Sequence, residues 1–153
     1  MNVDFRIMAA HPAIQKAKGD WKGCDRVYDK RPSFTGRLLS WYTEEEYVWL
    51  TFIWDVGFQS SVRSDLTDQL VWLPLLSDPV YPERGLLGML KGDAKIDIDG
   101  ADSVACHRDG ETFRGTSFEE VIVQAVVYQE TGDIWNGLKK EWVTENAAGS
   151  KQP

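Results

Sequence analysis

His107 is the side chain best suited to proton transfer, because an imidazole titrates near neutrality, and Cys106, Asp109 and Glu111 lie close to it in the chain. If the protein is an enzyme, His107, Asp109 and Glu111 are the catalytic candidates. A cysteine nucleophile fits less well. On a strand Cys106 and His107 point to opposite sides, so Cys24 would have to reach His107 through the fold. Cys106 therefore reads as a small core residue, and His11, beside Pro12, as a capping or surface residue.

The carboxylates point to a different chemistry. Glu44, Glu45 and Glu46 are adjacent, and like charges repel unless they are solvated or face a basic partner. The plain interpretation is a well-hydrated turn. The functional one joins the triplet to Asp78, Glu83, Asp97, Asp99 and Asp102 as a surface for lysines and arginines of another protein, with Trp41, Tyr42 and Tyr81 supplying the contacts that become buried.

Other chemistries lack their patterns. The acidic residues at 93, 97, 99 and 102 do not follow the calcium-loop spacing, and Gly85–Gly92 matches neither the dinucleotide nor the phosphate-loop glycine pattern. With two histidines and two cysteines that form no CxxC pair, neither a zinc site nor any other cofactor is expected. Base-stacking aromatics normally sit in a positive groove, and most of this chain is acidic, so direct nucleic-acid binding is not expected.

The 153 residues carry a formal charge of -7, but it is unevenly spread. Residues 1–37 hold eight basic groups against four acidic ones, a balance of +4, whereas the remainder holds nine against twenty, a balance of -11. At long range such a body favours basic partners. The chain is long enough for a self-supporting core, and one α+β domain over 1–153 is expected, with an irregular amino-terminal segment at 1–35 and a flexible tail at 146–153. No apolar run approaches the roughly twenty residues of a membrane-spanning helix, and no signal peptide is evident at the start given, so no membrane association and a cytoplasmic setting are expected.

Several elements must position these groups. A short helix from Pro12 would end at Gly19, with Trp21, Tyr28 and Phe34 anchoring the segment. Gly36–Tyr42 and Tyr47–Trp54 read as a hairpin joined by the glutamates, the second strand apolar on both faces and so interior to a sheet. The sheet could continue through Val62, while Leu66–Leu76 fits either a helical face or an extended run. Residues 94–99 and 103–107 read as two strands of a meander. Ser117–Glu120 fits a capping box opening a buried helix near Phe118. Asp133 could cap a second helix, placing Trp135 and Trp142 seven residues apart on one face.

The expectation is an antiparallel β-sheet, centred on 36–54 and 94–107, packed by carboxy-terminal helices. Functionally it is a small acidic soluble protein-binding module, an inhibitor or neutraliser of a basic partner in its most specific form. The alternatives are a small hydrolase or small-ligand-processing enzyme, or a small-molecule binding protein using an aromatic sheet face.

Overall fold

A computed structural model describes residues 3–101 and 103–144, so Asp102 and the tail from 146 lie outside the described residues. The fold is mixed α+β with antiparallel sheets. It divides into two compact units, one formed by Lys18–Leu73 and the other by the residues up to Ala17 together with those from Pro74 onward.

The Lys18–Leu73 unit is a five-stranded sheet built from β1 (Arg26–Asp29), β2 (Phe34–Glu44), β3 (Tyr47–Trp54), β4 (Gln59–Arg63) and β5 (Leu70–Leu73) in the order β4-β3-β2-β1-β5. Every neighbouring pair is antiparallel. The expected hairpin is present, and β3 is interior, held between β2 and β4. The ambiguous Leu66–Leu76 stretch resolves as a strand at Leu70–Leu73, paired with β1.

One face of this sheet carries the core. Val27, Leu38, Leu50, Phe52, Trp54 and Leu70 are buried together, with Trp21, Phe34 and Val62 against them. Burying such side chains stabilises by about 1.5–3 kcal/mol each. Trp21 meets Phe52 edge to face at 5.6 Å, so it anchors the chain onto the sheet as its size suggests. Gly36 lies opposite Trp54, and a Cβ there would come within 2.4 Å of the Ile53 carbonyl oxygen and 2.9 Å of the Trp54 ring. Only glycine lets the two strands close at that point.

The other unit holds α1 (Val3–Ala9), α2 (Pro12–Lys18, through Ala17), α3 (Leu86–Met89), a three-stranded meander of β6 (Lys95–Gly100), β7 (Ser103–Arg108) and β8 (Glu111–Gly115), the helix α4 (Phe118–Thr131), and a hairpin of β9 (Asp133–Asn136) and β10 (Glu141–Thr144). Residues 36–54 and 94–107 therefore belong to two separate sheets, not to the one sheet expected. Nor is the 1–35 segment irregular. It contains α1, α2 and β1, and Phe5 and Met8, three residues apart, are both buried on α1. α2 is the short helix expected from Pro12 and ending before Gly19, whereas α1, also seven residues long, shows too little periodicity to stand out in a sequence.

The carboxy-terminal helix α4 packs on β7 and β8 and receives α1 and α3. It opens as its sequence requires: the Ser117 hydroxyl accepts from the Glu120 amide at 3.2 Å, and the Glu120 carboxylate accepts in turn from Thr116 Oγ1 at 2.5 Å. Glu120 through Val127 are buried consecutively, which is why so many β-branched residues are tolerated in a helix. Here packing outweighs propensity. Gly132, at φ 77°, ends the helix and donates its amide to the Tyr128 carbonyl.

The second helix expected from Asp133 is a β-hairpin. Trp135 and Trp142 are directly paired across β9 and β10, with ring centroids 5.3 Å apart. A spacing of seven brings two side chains together on a helix, but a hairpin does the same. The turn decides: Asn136 Oδ1 accepts from the amides of Leu138 and Lys139, and Leu138, which a helical face would bury, is 97% exposed.

Candidate functional site

The β2–β3 hairpin extends beyond the strands that flank it. β1 pairs with β2 only over Phe34–Arg37, and β4 pairs with β3 only from Trp49 to Ile53. The tip that carries residues 41–48 is an arm bordered along β3 by β4 and by the Ser64 amide, which donates to the Val48 carbonyl at 2.8 Å, and along β2 by no strand among the described residues. Its large side chains are unusually open to solvent, at 56% for Trp41, 42% for Tyr42, 42% for Tyr47 and 41% for Val48. Each side of the arm carries two of them, Tyr42 and Tyr47 on one and Trp41 and Val48 on the other.

The turn at the end of the arm is made of glutamates. Glu44 is opposite Tyr47, so Glu45 and Glu46 form a two-residue loop, with φ of 53° and 69°. Positive φ at both positions is the signature of a type I′ turn, which Asn-Gly fills at low cost. For a residue bearing a Cβ the left-handed conformation costs about 1–2 kcal/mol. Three adjacent carboxylates are thus held out on the sharpest point of the sheet, at some expense to stability.

Two contacts stiffen one side of the arm. Tyr42 stacks on Trp49, the residue opposite it, with the rings within 6° of parallel. Arg63, opposite Trp49 on β4, lays its guanidinium 3.6 Å from the Tyr47 ring centroid and forks onto Asp65, at 3.1 Å from Nε and 2.7 Å from Nη2. Those hydrogen bonds hold the Asp65 carboxyl below the usual carboxylate range and push the Arg63 guanidinium up.

The opposite side of the arm opens on a cleft of about 450 Å³. Trp21 and Trp41 provide aromatic walls, Val48 and Leu50 an apolar floor, and Lys18, Asp20, Ser64 and Thr67 a polar rim. The Lys18 ammonium sits 4.0 Å from the centroid of the Trp21 ring. Trp41 reaches this side because of a bulge between Leu38 and Ser40. The extra residue shifts the alternation, so that Leu38 and Trp41, three apart, both line the core side.

The other acidic candidates are placed differently. Asp97 bonds to His107 at 2.9 Å, Asp99 to Arg114 at 2.9 Å, and Asp78 Oδ1 accepts from the amides of Val80 and Tyr81, so these three are engaged within their own unit. Tyr81 is exposed and Glu83 lies in a short 3-10 turn, Pro82–Arg84. Glu44, Glu45, Glu46, Trp41 and Tyr42 are the sequence-selected residues that one element brings together.

His107 does not assemble with Asp109 and Glu111. Its Nε2 faces Asp97, and its Nδ1 lies 3.0 Å from the hydroxyl of Thr112, the residue opposite it on β8. Asp109 sits in the turn at φ 50°, with its carboxylate 3.7 Å from Arg108, and Glu111 accepts from the Tyr128 hydroxyl at 3.4 Å. Proximity in sequence was a poor guide because cross-strand neighbours are set by register, and neither Asp97 nor Thr112 is adjacent to His107 in the chain. The Asp97–His107–Thr112 chain has the order of a carboxylate, a base and a hydroxyl, and the His107 and Asp97 side chains are each more than a third exposed. Cys106, on the other face, is buried, and burial pushes its thiol up.

His11 is a helix cap. Its Nδ1 accepts from the Ala13 amide at the start of α2, while Nε2 is 2.7 Å from Asp133 and the ring meets Trp142 edge to face. It borders a second cleft, of about 490 Å³, with Lys16 and Glu130. Both ring nitrogens are thus engaged within this unit.

Among the described residues, no group of three or more histidine, cysteine, aspartate or glutamate side chains is arranged to hold a metal ion, and no helix is long and apolar enough to cross a membrane. Comparison with family models, with curated proteins and with solved structures returns no match, so the geometry of the β2–β3 arm carries the functional reading by itself.

Proposed function

We propose that this chain is a protein-binding module for a basic partner and that the β2–β3 arm is its recognition element. The observation that supports this is the exposure of Trp41, Tyr42, Tyr47 and Val48 beside three consecutive carboxylates at one tip. The two groups do different work. The carboxylates attract and orient a basic surface, which raises the association rate and makes it sensitive to salt, while the aromatic side chains supply the buried area that slows dissociation. Inhibition follows where the partner's basic surface is also its working surface, because the arm would neutralise and cover it.

The test is affinity capture from cell extract with the immobilised chain, run at low and raised salt beside E44K/E45K/E46K and W41A variants. A partner held by the wild type should be released as salt screens the tip and should be lost with either variant. Recovery of no partner, or equal recovery by wild type and both variants, refutes the proposal.

A further inference from the structure

The open flank of β2 offers a partner more than side chains. On one side β2 is bonded to β3 from Gly36 to Glu44. On the other, β1 reaches only to Arg37, and the last backbone bonds run from the Leu38 amide to the Asp25 carbonyl and from the Cys24 amide to the Leu38 carbonyl, both at 2.8 Å. Before Cys24 the chain leaves the line of the strand, with Trp21 packed onto Phe52. Among the described residues no strand pairs with Leu39–Glu44 on this side, and all six are exposed.

An edge of this kind is a template for another strand, and proteins usually blunt it with proline, charged side chains, a bulge or a very short run. This one has no proline or lysine, and its one bulge lies at its first residue, Leu39, ahead of the regular run Ser40–Glu44. It carries Leu39, Trp41 and Tyr42 and ends at the glutamates. Six residues of pairing span about 20 Å, enough for a specific main-chain ladder. A strand seated here would continue the line of β1. Every second side chain would then enter the side on which Trp21 and Trp41 frame the cleft, and its far end would meet Glu44–Glu46.

We infer that the edge Leu39–Glu44 accepts an extended basic segment of the partner as an added strand, with an apolar side chain between Trp21 and Trp41 and a lysine or arginine against Glu44–Glu46. This rests on the binding function proposed above and names how the same arm reads its partner.

The test uses the isotopically labelled full chain and three capped hexapeptides: Lys-Val-Lys-Val-Lys-Val, its Glu-Val counterpart, and the Lys-Val peptide methylated at every backbone nitrogen. The Lys-Val peptide should shift and protect the amides of Leu39–Glu44 and bind at least about tenfold more tightly than either of the others, with about a tenfold loss on Trp41→Ala. Equal binding by the methylated peptide would overturn strand addition while leaving recognition by the acidic, aromatic tip intact. Shifts confined to other surfaces, or no binding by any peptide, would also overturn it, and partner capture would then judge the binding function separately. Concentration-dependent self-association through the same six residues would overturn it in favour of a second copy of the chain.

Discussion

Replacing Glu45 by Asn and Glu46 by Gly should stabilise the Lys18–Leu73 unit and, on the function proposed above, weaken partner capture. Both residues have positive φ, and relieving the left-handed strain of two Cβ-bearing residues is worth about 2–4 kcal/mol at most. The gain is reduced because asparagine tolerates that conformation without being free in it, and because glycine adds about 0.4–1 kcal/mol of entropy to the unfolded chain. A net gain of about 1–2 kcal/mol remains, or roughly 2–8 °C in melting temperature for a chain of this size. Tryptophan emission in a urea titration reports the right unit, since Trp21, Trp41, Trp49, Trp54 and Trp72 all lie in it. Two controls separate strain from charge. Glu45→Gln with Glu46→Gln removes the repulsion but keeps the strain, and Glu44→Asn alters a residue whose φ is not positive; each should stay within about 0.5 kcal/mol of wild type. An Asn-Gly variant no more stable than wild type, or a Gln-Gln variant that gains as much, would refute the assignment of strain to this turn.

Three further outcomes follow from the packing. With a thiol reagent under native conditions, Cys24 should react at once and Cys106 only after unfolding; because burial raises the Cys106 thiol, stability should hold below about pH 8.5, where the unfolded thiol ionises, and decline as pH climbs through the higher folded value. The Asp65 carboxyl, followed by NMR, should titrate below the ordinary value of about 3.9, so that its contribution is present above that pH and lost as pH falls through the folded value; Arg63→Gln should return it to the ordinary range. Gly36→Ala should cost about 1–3 kcal/mol in a denaturant titration, because the added methyl meets the β3 backbone rather than a movable side chain.

Local chemistry made much of this protein legible in advance. Ser117–Glu120 opens α4 where a capping box says it should, because both partners of that motif lie within one turn of chain. The Gly36–Trp54 region reads as a hairpin because β propensity and a polar connection suffice to define one. The exposed glutamates of its turn, with Trp41 and Tyr42 beside them, needed only the rule that three like charges avoid burial. The failures share a different cause. Trp135 and Trp142 were consistent with a helix and with a hairpin, and His107 could be joined to Asp109 and Glu111 only by proximity along the chain. In both cases contacts across strands decided the outcome, and a linear sequence does not state register.

The sequence by itself therefore determined the acidic, aromatic character of residues 41–48, the capped helix and the turn that carries Glu44–Glu46, since each depends on residues close in the chain. Only the tertiary structure decided that Asp97 and Asp99 are taken up by His107 and Arg114, that β1 stops short and leaves one edge of Leu39–Glu44 without a strand among the described residues, and that a single bulged residue turns Trp41 toward Trp21. Those outcomes depend on which strands meet and in what register, and shifting a strand by one residue exchanges its two faces.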